Sequence, residues 1–226
     1  MLATQSDPRA TSSAVEDYAK TIYALAEDCD GAISTTAVAE RLGVTPGSAS
    51  AMIKRLGELD LVSHLPYKGV ELTEQGTRVA LEVIRHHRLL ELYLVRELGM
   101  GWDRVHAEAE RLEHVISEEL EALIAAKLGE PDTDPHGDPI PSPALELPQD
   151  ATEPLDALEA GTTGCFVRVS DSDPAMLRYL TERGVAPGDA FEVIERQPFG
   201  GPLFVRFGEH VHAFGGALAA SMRVIR

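Results

Sequence analysis

The sequence predicts a mainly α-helical chain that ends in a small β domain. Three observations carry this. Apolar residues recur at helical spacing through much of residues 14–127. A run rich in Pro and Asp, PDTDPHGDPIPSPALELP (131–148), then interrupts all periodicity. Beyond residue 158 the texture changes to short, alternating, β-branched runs.

The elements follow in order. Residues 1–13 read as a disordered tail. AVEDYAKTIYALAE (14–27) carries apolar residues at 15, 18, 22 and 25, with Ser12 or Ser13 as N-cap. TTAVAERLGV (35–44) is a short amphipathic helix ended by Gly43. TPGSASAMIKRLGELDLV (45–62) opens with Thr45 as N-cap and Pro46 at the first helical position. LVSHLPYKGVELT (61–73) reads as two strands around a PYKG turn. This order is that of a winged helix-turn-helix, placed at residues 14–76. A plain three-helix bundle with a hairpin is the alternative; the tight spacing of AERLGVTPGSAS favours the DNA-binding form.

A long helix spans residues 74–98, GMGWD breaks it, and a second helix runs from 105 to about 127. Together they form a helical region at 77–145. Residues 146–157 read as linker. In 158–226, GCFVRVSD, DAFEVIER, PLFVRFGE, HVHAFGG and SMRVIR are strand-like, with one helical piece at 173–184, which suggests a small β-barrel.

The totals bound function. No run of 18 apolar residues occurs, so no membrane span is expected, and the N-terminus lacks the apolar core of a secretory signal. Two isolated cysteines, Cys29 and Cys165, suit a reducing cytoplasm. A net charge of −17 opposes a general nucleic-acid binder, but the charge is uneven. Residues 45–70 hold Lys54, Arg55 and Lys68 against only Glu58 and Asp60. In that segment Thr45, Ser48 and Ser50 can reach phosphates or base edges. Pro46, Gly47 and Ala49 suit thymine methyl contact, and Lys54 and Lys68 suit phosphates. Capping and tight helix packing are the competing explanation for the small residues.

The helix at 105–127 has one stripe that is not apolar. His106, Glu110, Glu113 and His114 stand at offsets of 0, 4, 7 and 8, which share a face. Asp17 is a candidate partner from the first helix. His87 and Glu91 lie one turn apart on the preceding helix and, with His106, make a second His/Glu/His group. Imidazole and carboxylate without thiolate suit Mn²⁺ or Fe²⁺, and also bind Zn²⁺ and Co²⁺. A solvated helix face is the ordinary explanation for one such pair; four on one stripe argue against it. His210 and His212 alternate along a strand and read as exposed residues.

These residues carry a family resemblance. EDYAKTIYALAE, AERLGVTPGSASAMIKRL, LTEQGTRVA, RHHRLLELYL, VHAEAERLEHVISEELE and GDPIP, in this order, resemble the diphtheria-toxin-repressor family of metal-dependent bacterial regulators. The resemblance implies three parts: a winged helix-turn-helix, a helical metal-binding and dimerisation region, and a C-terminal SH3-like barrel. It implies a divalent ion as corepressor and a homodimer on a palindromic operator of double-stranded DNA, with two dimers per operator. Asp17 and Glu110 stand where the iron-sensing branch carries Met and Cys, which resembles the manganese-sensing branch. The primary site is then Asp17, Glu110, Glu113 and His114, and the ancillary site His87, Glu91 and His106. Mn(II) fills both, with Fe(II), Co(II), Zn(II) or Cd(II) as substitutes, and manganese uptake genes are the implied target.

Two departures stand out. Lys20 occupies the place where short manganese regulators have Glu, so the two-site arrangement of the longer members fits better. Those members add Glu and Gln ligands from the barrel; here Asp171 or Asp173 in VSDSDP stands in. A metal-dependent hydrolase is the alternative from another class, but no nucleophile motif such as G-x-S-x-G occurs. A metal-buffering protein is a further one, separated from a repressor by whether the helix at 45–59 retains DNA.

Overall fold

The computed structural model describes residues 12–27, 31–65 and 69–226. It divides into two compact units, residues up to 86 with 143–146, and residues 87–142 with 147–226.

The first unit is a winged helix-turn-helix. Helices α1 (Ser13–Glu27), α2 (Thr35–Leu42) and α3 (Pro46–Glu58) are followed by the antiparallel hairpin β1 (Val62–Leu65) and β2 (Gly69–Leu72), then by the start of α4 (Glu74–Arg96). Local chemistry sets the joints. Ser34 accepts a hydrogen bond from the Ala37 amide to open α2, and Gly43 closes it at φ 64°. Thr45 accepts from the Ser48 amide to open α3, with Pro46 in the first turn. Ile22, Val38, Ala49, Ile53, Leu56 and Val70 form the buried core. Ile33 pairs with Val70 beside the hairpin. That approach requires Gly69: at φ 128°, a Cβ there would lie 2.2 Å from the Ile33 carbonyl oxygen. The PYKG turn falls largely, and the N-terminal tail almost wholly, outside the described residues.

The second unit begins with the rest of α4. The single helix expected from 105 to about 127 is two: α5 (Val105–Leu112) and α6 (Glu118–Leu128). Ser117 is the reason. Its side chain accepts from the Leu120 amide as N-cap, and Glu118, Glu119 and Glu121 favour the start of the new helix. Leu89, Leu90, Leu92, Ala109, Ile124, Ala125 and Ile140 close this helical core.

The remainder is an SH3-like barrel. A six-stranded antiparallel sheet runs β3 (Glu153–Pro154), β8 (Met222–Ile225), β4 (Thr163–Val169), β5 (Ala190–Arg196), β6 (Leu203–Phe207), β7 (His210–Phe214). Register shifts in β4 and β5 let it curl. Helices α7 (Pro174–Thr181) and α8 (Gly216–Ser221) complete it around Phe166, Phe214, Leu177 and Val205. Residues 153–157, within the stretch read as linker, add β3 and a 3-10 turn because Leu155 is fully buried in this core. Trp102, before α5, packs against the barrel core and donates from Nε1 to Thr181 Oγ1 at 2.6 Å. Among the described residues, no helix is long and apolar enough to cross a membrane.

Candidate metal centre and DNA-reading helix

One turn of α4 sets His87 and Glu91 on the same face, and α5 brings His106 against them. Glu91 Oε1 lies 3.0 Å from His87 Nε2 and 3.4 Å from His106 Nδ1. His106 Nδ1 lies 3.1 Å from His87 Nε2 and 2.7 Å from Asp171 Oδ2, in the turn after β4. One ligand-type atom from each of His87, Glu91, His106 and Asp171 falls within 4.8 Å of the others. Of the two barrel aspartates considered, Asp171 therefore faces the cluster. Asp173 instead caps α7, accepting from the Ala175 amide.

Two further residues join from the Pro- and Asp-rich run at 131–148. Asp134 Oδ1 accepts from the amides of His136 and Asp138, at 2.8 and 2.9 Å, folding DPHGD back on itself. Gly137 at φ 90° permits it; a Cβ there would meet the Val167 carbonyl oxygen at 1.9 Å. His136 Nε2 donates to the Trp102 carbonyl at 2.8 Å, and the two rings stack with centroids 5.8 Å apart. Its Nδ1 is thereby aimed at Glu91 Oε2, 3.6 Å away, with Asp134 Oδ2 at 4.0 Å. Glu91 and His136 are both fully buried, yet Glu91 Oε2 and His136 Nδ1 have no hydrogen-bond partner. Stranding such atoms costs about 1–3 kcal/mol each, more when charged. The signal in the sequence was a histidine between two aspartates, masked by good turn chemistry.

The electrostatics follow from burial against proximity. Burial raises the Glu91 carboxyl, but the imidazoles of His106, His136 (3.6 Å from Oε2) and His87 outweigh it and hold the group well below the usual range. His106 is pushed up to about 12, first by Asp171, then by Glu110 and Glu91. For His136 burial opposes charge, but Glu91 and Asp134 prevail and raise it to about 9. Burial, then Asp138 and Glu91, raise Asp134 well above the ordinary carboxylate range. Burial also opposes charge on Asp171, and His106 overcomes it. Without an ion, protons on two imidazoles supply the positive charge among these acids. The donor set of imidazole nitrogen and carboxylate oxygen, with two orphaned buried atoms facing each other, fits a divalent cation.

The remaining expected ligands are placed as follows. Glu110 is exposed, with Oε1 3.5 Å from His106 Nε2. Glu113, the C-cap of α5, is 2% exposed; Oε2 is hydrogen-bonded to His87 Nδ1, and Oε1 lies 3.5 Å from His114 Nε2. Asp17 is half-buried on α1, in the first unit. His210 and His212 sit on the edge strand β7, and His212 stacks on Phe214.

On α3, Thr45, Pro46, Gly47, Ser48, Ser50 and Lys54 are all exposed, while Ala49, Ile53 and Leu56 are buried. Ala49 is therefore a core residue and not a base contact. Thr45 Oγ1 and Ser48 Oγ are 2.9 Å apart, and Ser50 Oγ donates to the Pro46 carbonyl, so these hydroxyls also serve the helix itself. Lys54 pairs loosely with Glu58 at 3.9 Å. Lys68 lies outside the described residues.

Comparison with known proteins gives three family matches. Residues 10–70 match the iron dependent repressor N-terminal DNA binding domain, residues 73–142 the iron dependent repressor metal binding and dimerisation domain, and residues 153–226 the FeoA domain. The chain is 35% identical to the iron-dependent repressor of Mycobacterium bovis over 204 residues, 84% of this chain and 87% of that one. A solved manganese-dependent transcriptional repressor in complex with manganese is 42% identical, with TM-score 0.87, covering 93% of this chain and 99% of the other. The manganese regulator SloR is 29% identical, with TM-score 0.76, covering 94% and 98%.

Proposed function

From membership of the diphtheria-toxin-repressor family, to which this chain belongs as a metal-dependent transcriptional repressor, we propose that manganese is the ion it senses. The same membership makes it a DNA-binding homodimer and not an enzyme, which sets the hydrolase alternative aside. The donor set carries the manganese reading. His87, Glu91, His106, Asp134, His136 and Asp171 offer only imidazole nitrogen and carboxylate oxygen. Hard donors without sulfur favour Mn²⁺ over softer ions in kind, though raw affinity for Zn²⁺ or Co²⁺ stays higher. The relatives named for manganese support this. Iron is the second reading, favoured by the relatives named for iron.

We assign one ion to that cluster, whose two groups, His87/Glu91/His106/Asp171 and Glu91/Asp134/His136, meet at Glu91. A second ion is assigned to Asp17, Glu110, Glu113 and His114 on the strength of the resemblance. A divalent ion supplies the positive charge that lets these carboxylates stand together. In its absence His106 and His136 hold the positive charge beside these carboxylates, with His136 Nδ1 and Glu91 Oε2 left 3.6 Å apart, beyond hydrogen-bond distance. The ligand side chains therefore favour one arrangement of the dimer when loaded and another when empty, and DNA selects the first.

Thr45, Pro46, Gly47, Ser48, Ser50 and Lys54 face the operator, with Lys68 from the wing. Their short reach makes direct base reading modest, so groove shape contributes to specificity. The two α3 helices of a dimer read palindromic half-sites about one helical turn apart, or a multiple of it. Val115, Leu120 and Leu123, exposed at 75, 44 and 61%, form the apolar surface that the second copy covers. The test is operator retention by ion-free protein titrated with Mn²⁺ and, anaerobically, with Fe²⁺. Manganese should activate at lower free concentration relative to its ordinary place in the affinity series. Equal activation by Fe²⁺ would leave a repressor of this family but remove the inference to manganese.

A further inference from the structure

Glu113 does more in this structure than a ligand for a neighbouring ion needs to. It is almost fully buried, and its Oε2 is bonded to His87 Nδ1. The other nitrogen of the same imidazole, Nε2, faces Glu91 Oε1 at 3.0 Å and His106 Nδ1 at 3.1 Å. A neutral imidazole that ligates through one nitrogen carries its proton on the other. Whatever accepts that proton's hydrogen bond fixes both tautomer and ring orientation.

We propose that Glu113 is a positioning residue for the ion held by His87, Glu91, His106 and Asp171, through the hydrogen bond it accepts from His87 Nδ1. The proposal rests on the reading that this cluster holds a divalent ion. It gives Glu113 a role distinct from ligating the ion assigned with Asp17. A ligand role affects that ion alone, whereas the positioning role reaches the other one. Glu113 is the C-cap of α5, four residues before Ser117 opens α6, and from this joint its carboxylate reaches His87 on α4.

The experiment isolates one ion by working in a full-length Asp17→Ala background, where the set containing Asp17 is incomplete. Calorimetric titration with Mn²⁺ compares that variant with Asp17→Ala/Glu113→Ala and Asp17→Ala/Glu113→Gln. Adding Glu113→Ala should weaken the remaining ion by about 10–100-fold, the usual effect of losing a partner that orients a ligand histidine. Glu113→Gln, whose amide oxygen can still accept the N–H, should recover most of that loss. In ¹⁵N spectra of protein loaded with diamagnetic Cd²⁺ in place of Mn²⁺, His87 should carry its proton on Nδ1 when residue 113 is Glu or Gln and lose that preference with Ala. Unchanged Mn²⁺ affinity in Glu113→Ala overturns the proposal and leaves the metal reading intact. So does a Gln variant as weak as the Ala variant. If the Asp17→Ala protein binds no Mn²⁺ at all, the cluster itself is misread and the proposal falls with it.

Discussion

Binding of Mn²⁺ at the cluster of His87, Glu91, His106, Asp134, His136 and Asp171 should expel protons, and its affinity should therefore rise steeply with pH. In the ion-free state Asp171, with Glu110 and Glu91, pushes His106 up to about 12, and Glu91 and Asp134 outweigh burial to raise His136 to about 9, which favours charge on both imidazoles at pH 7. Both must be neutral to ligate. These two imidazoles release about two protons per ion, and each contributes a tenfold change in affinity per pH unit. Between pH 6.5 and 7.5 the dissociation constant should fall roughly 100-fold. Beyond about pH 9 His136 is already neutral in the empty protein, and the slope should drop to about one decade per unit. Calorimetry at pH 7 in buffers of different ionisation enthalpy counts the protons directly. A pH-independent affinity with no proton release would refute the claim that charged imidazoles occupy the ion's place.

Three other outcomes follow from the same geometry. His136→Phe keeps the stacking on Trp102 but removes the charged imidazole that faces Glu91 Oε2 at 3.6 Å; the cluster should lose its ion, and ion-free stability in urea should fall by about 3–5 kcal/mol, the cost of breaking a buried ion pair. Ion-free stability should also depend on pH through His136: its folded pKa of about 9 lies above the unfolded 6.5, so the contribution is complete below pH 6.5 and lost as pH rises through 9. It amounts to about 3 kcal/mol, readable as a falling urea midpoint. Gly137→Ala should open the DPHGD turn, since its Cβ would overlap the Val167 carbonyl at a φ that disfavours side chains. The fluorescence response of Trp102, the single tryptophan, to Mn²⁺ should then be lost, and an unchanged response would contradict the role given to the turn.

Much of this was legible in the chain, and the limits have physical causes. Thr45 with Pro46, and Gly43 before them, mark helix ends by local chemistry, so the winged helix-turn-helix could be read directly. His87 and Glu91 were visible because helical spacing puts them on one face of α4, and His106 because it opens the polar stripe of α5. Asp171 was visible only as one of two aspartates, and nothing local distinguishes the one that meets His106 from the cap at Asp173. The helix break at Glu113–Ser117 was written in Ser117 and the glutamates after it, but strong helix formers on both sides hid it. Asp134 and His136 escaped because their partner, Glu91, lies more than forty residues away, and a DPHGD turn looks the same with or without that partner. Leu155 escaped likewise, since a two-residue strand has no periodicity to read.

The most direct test of the central claim is operator binding followed by fluorescence anisotropy, with Mn²⁺ titrated into ion-free wild-type and His136→Phe proteins side by side. The operator is a fragment selected from random-sequence DNA by the Mn²⁺-loaded protein. The account predicts weak binding without the ion, tight binding by the wild type as Mn²⁺ is added, and little or no response from His136→Phe. Equal affinity with and without Mn²⁺, or a His136→Phe protein that responds at the same Mn²⁺ concentration as the wild type, would contradict it.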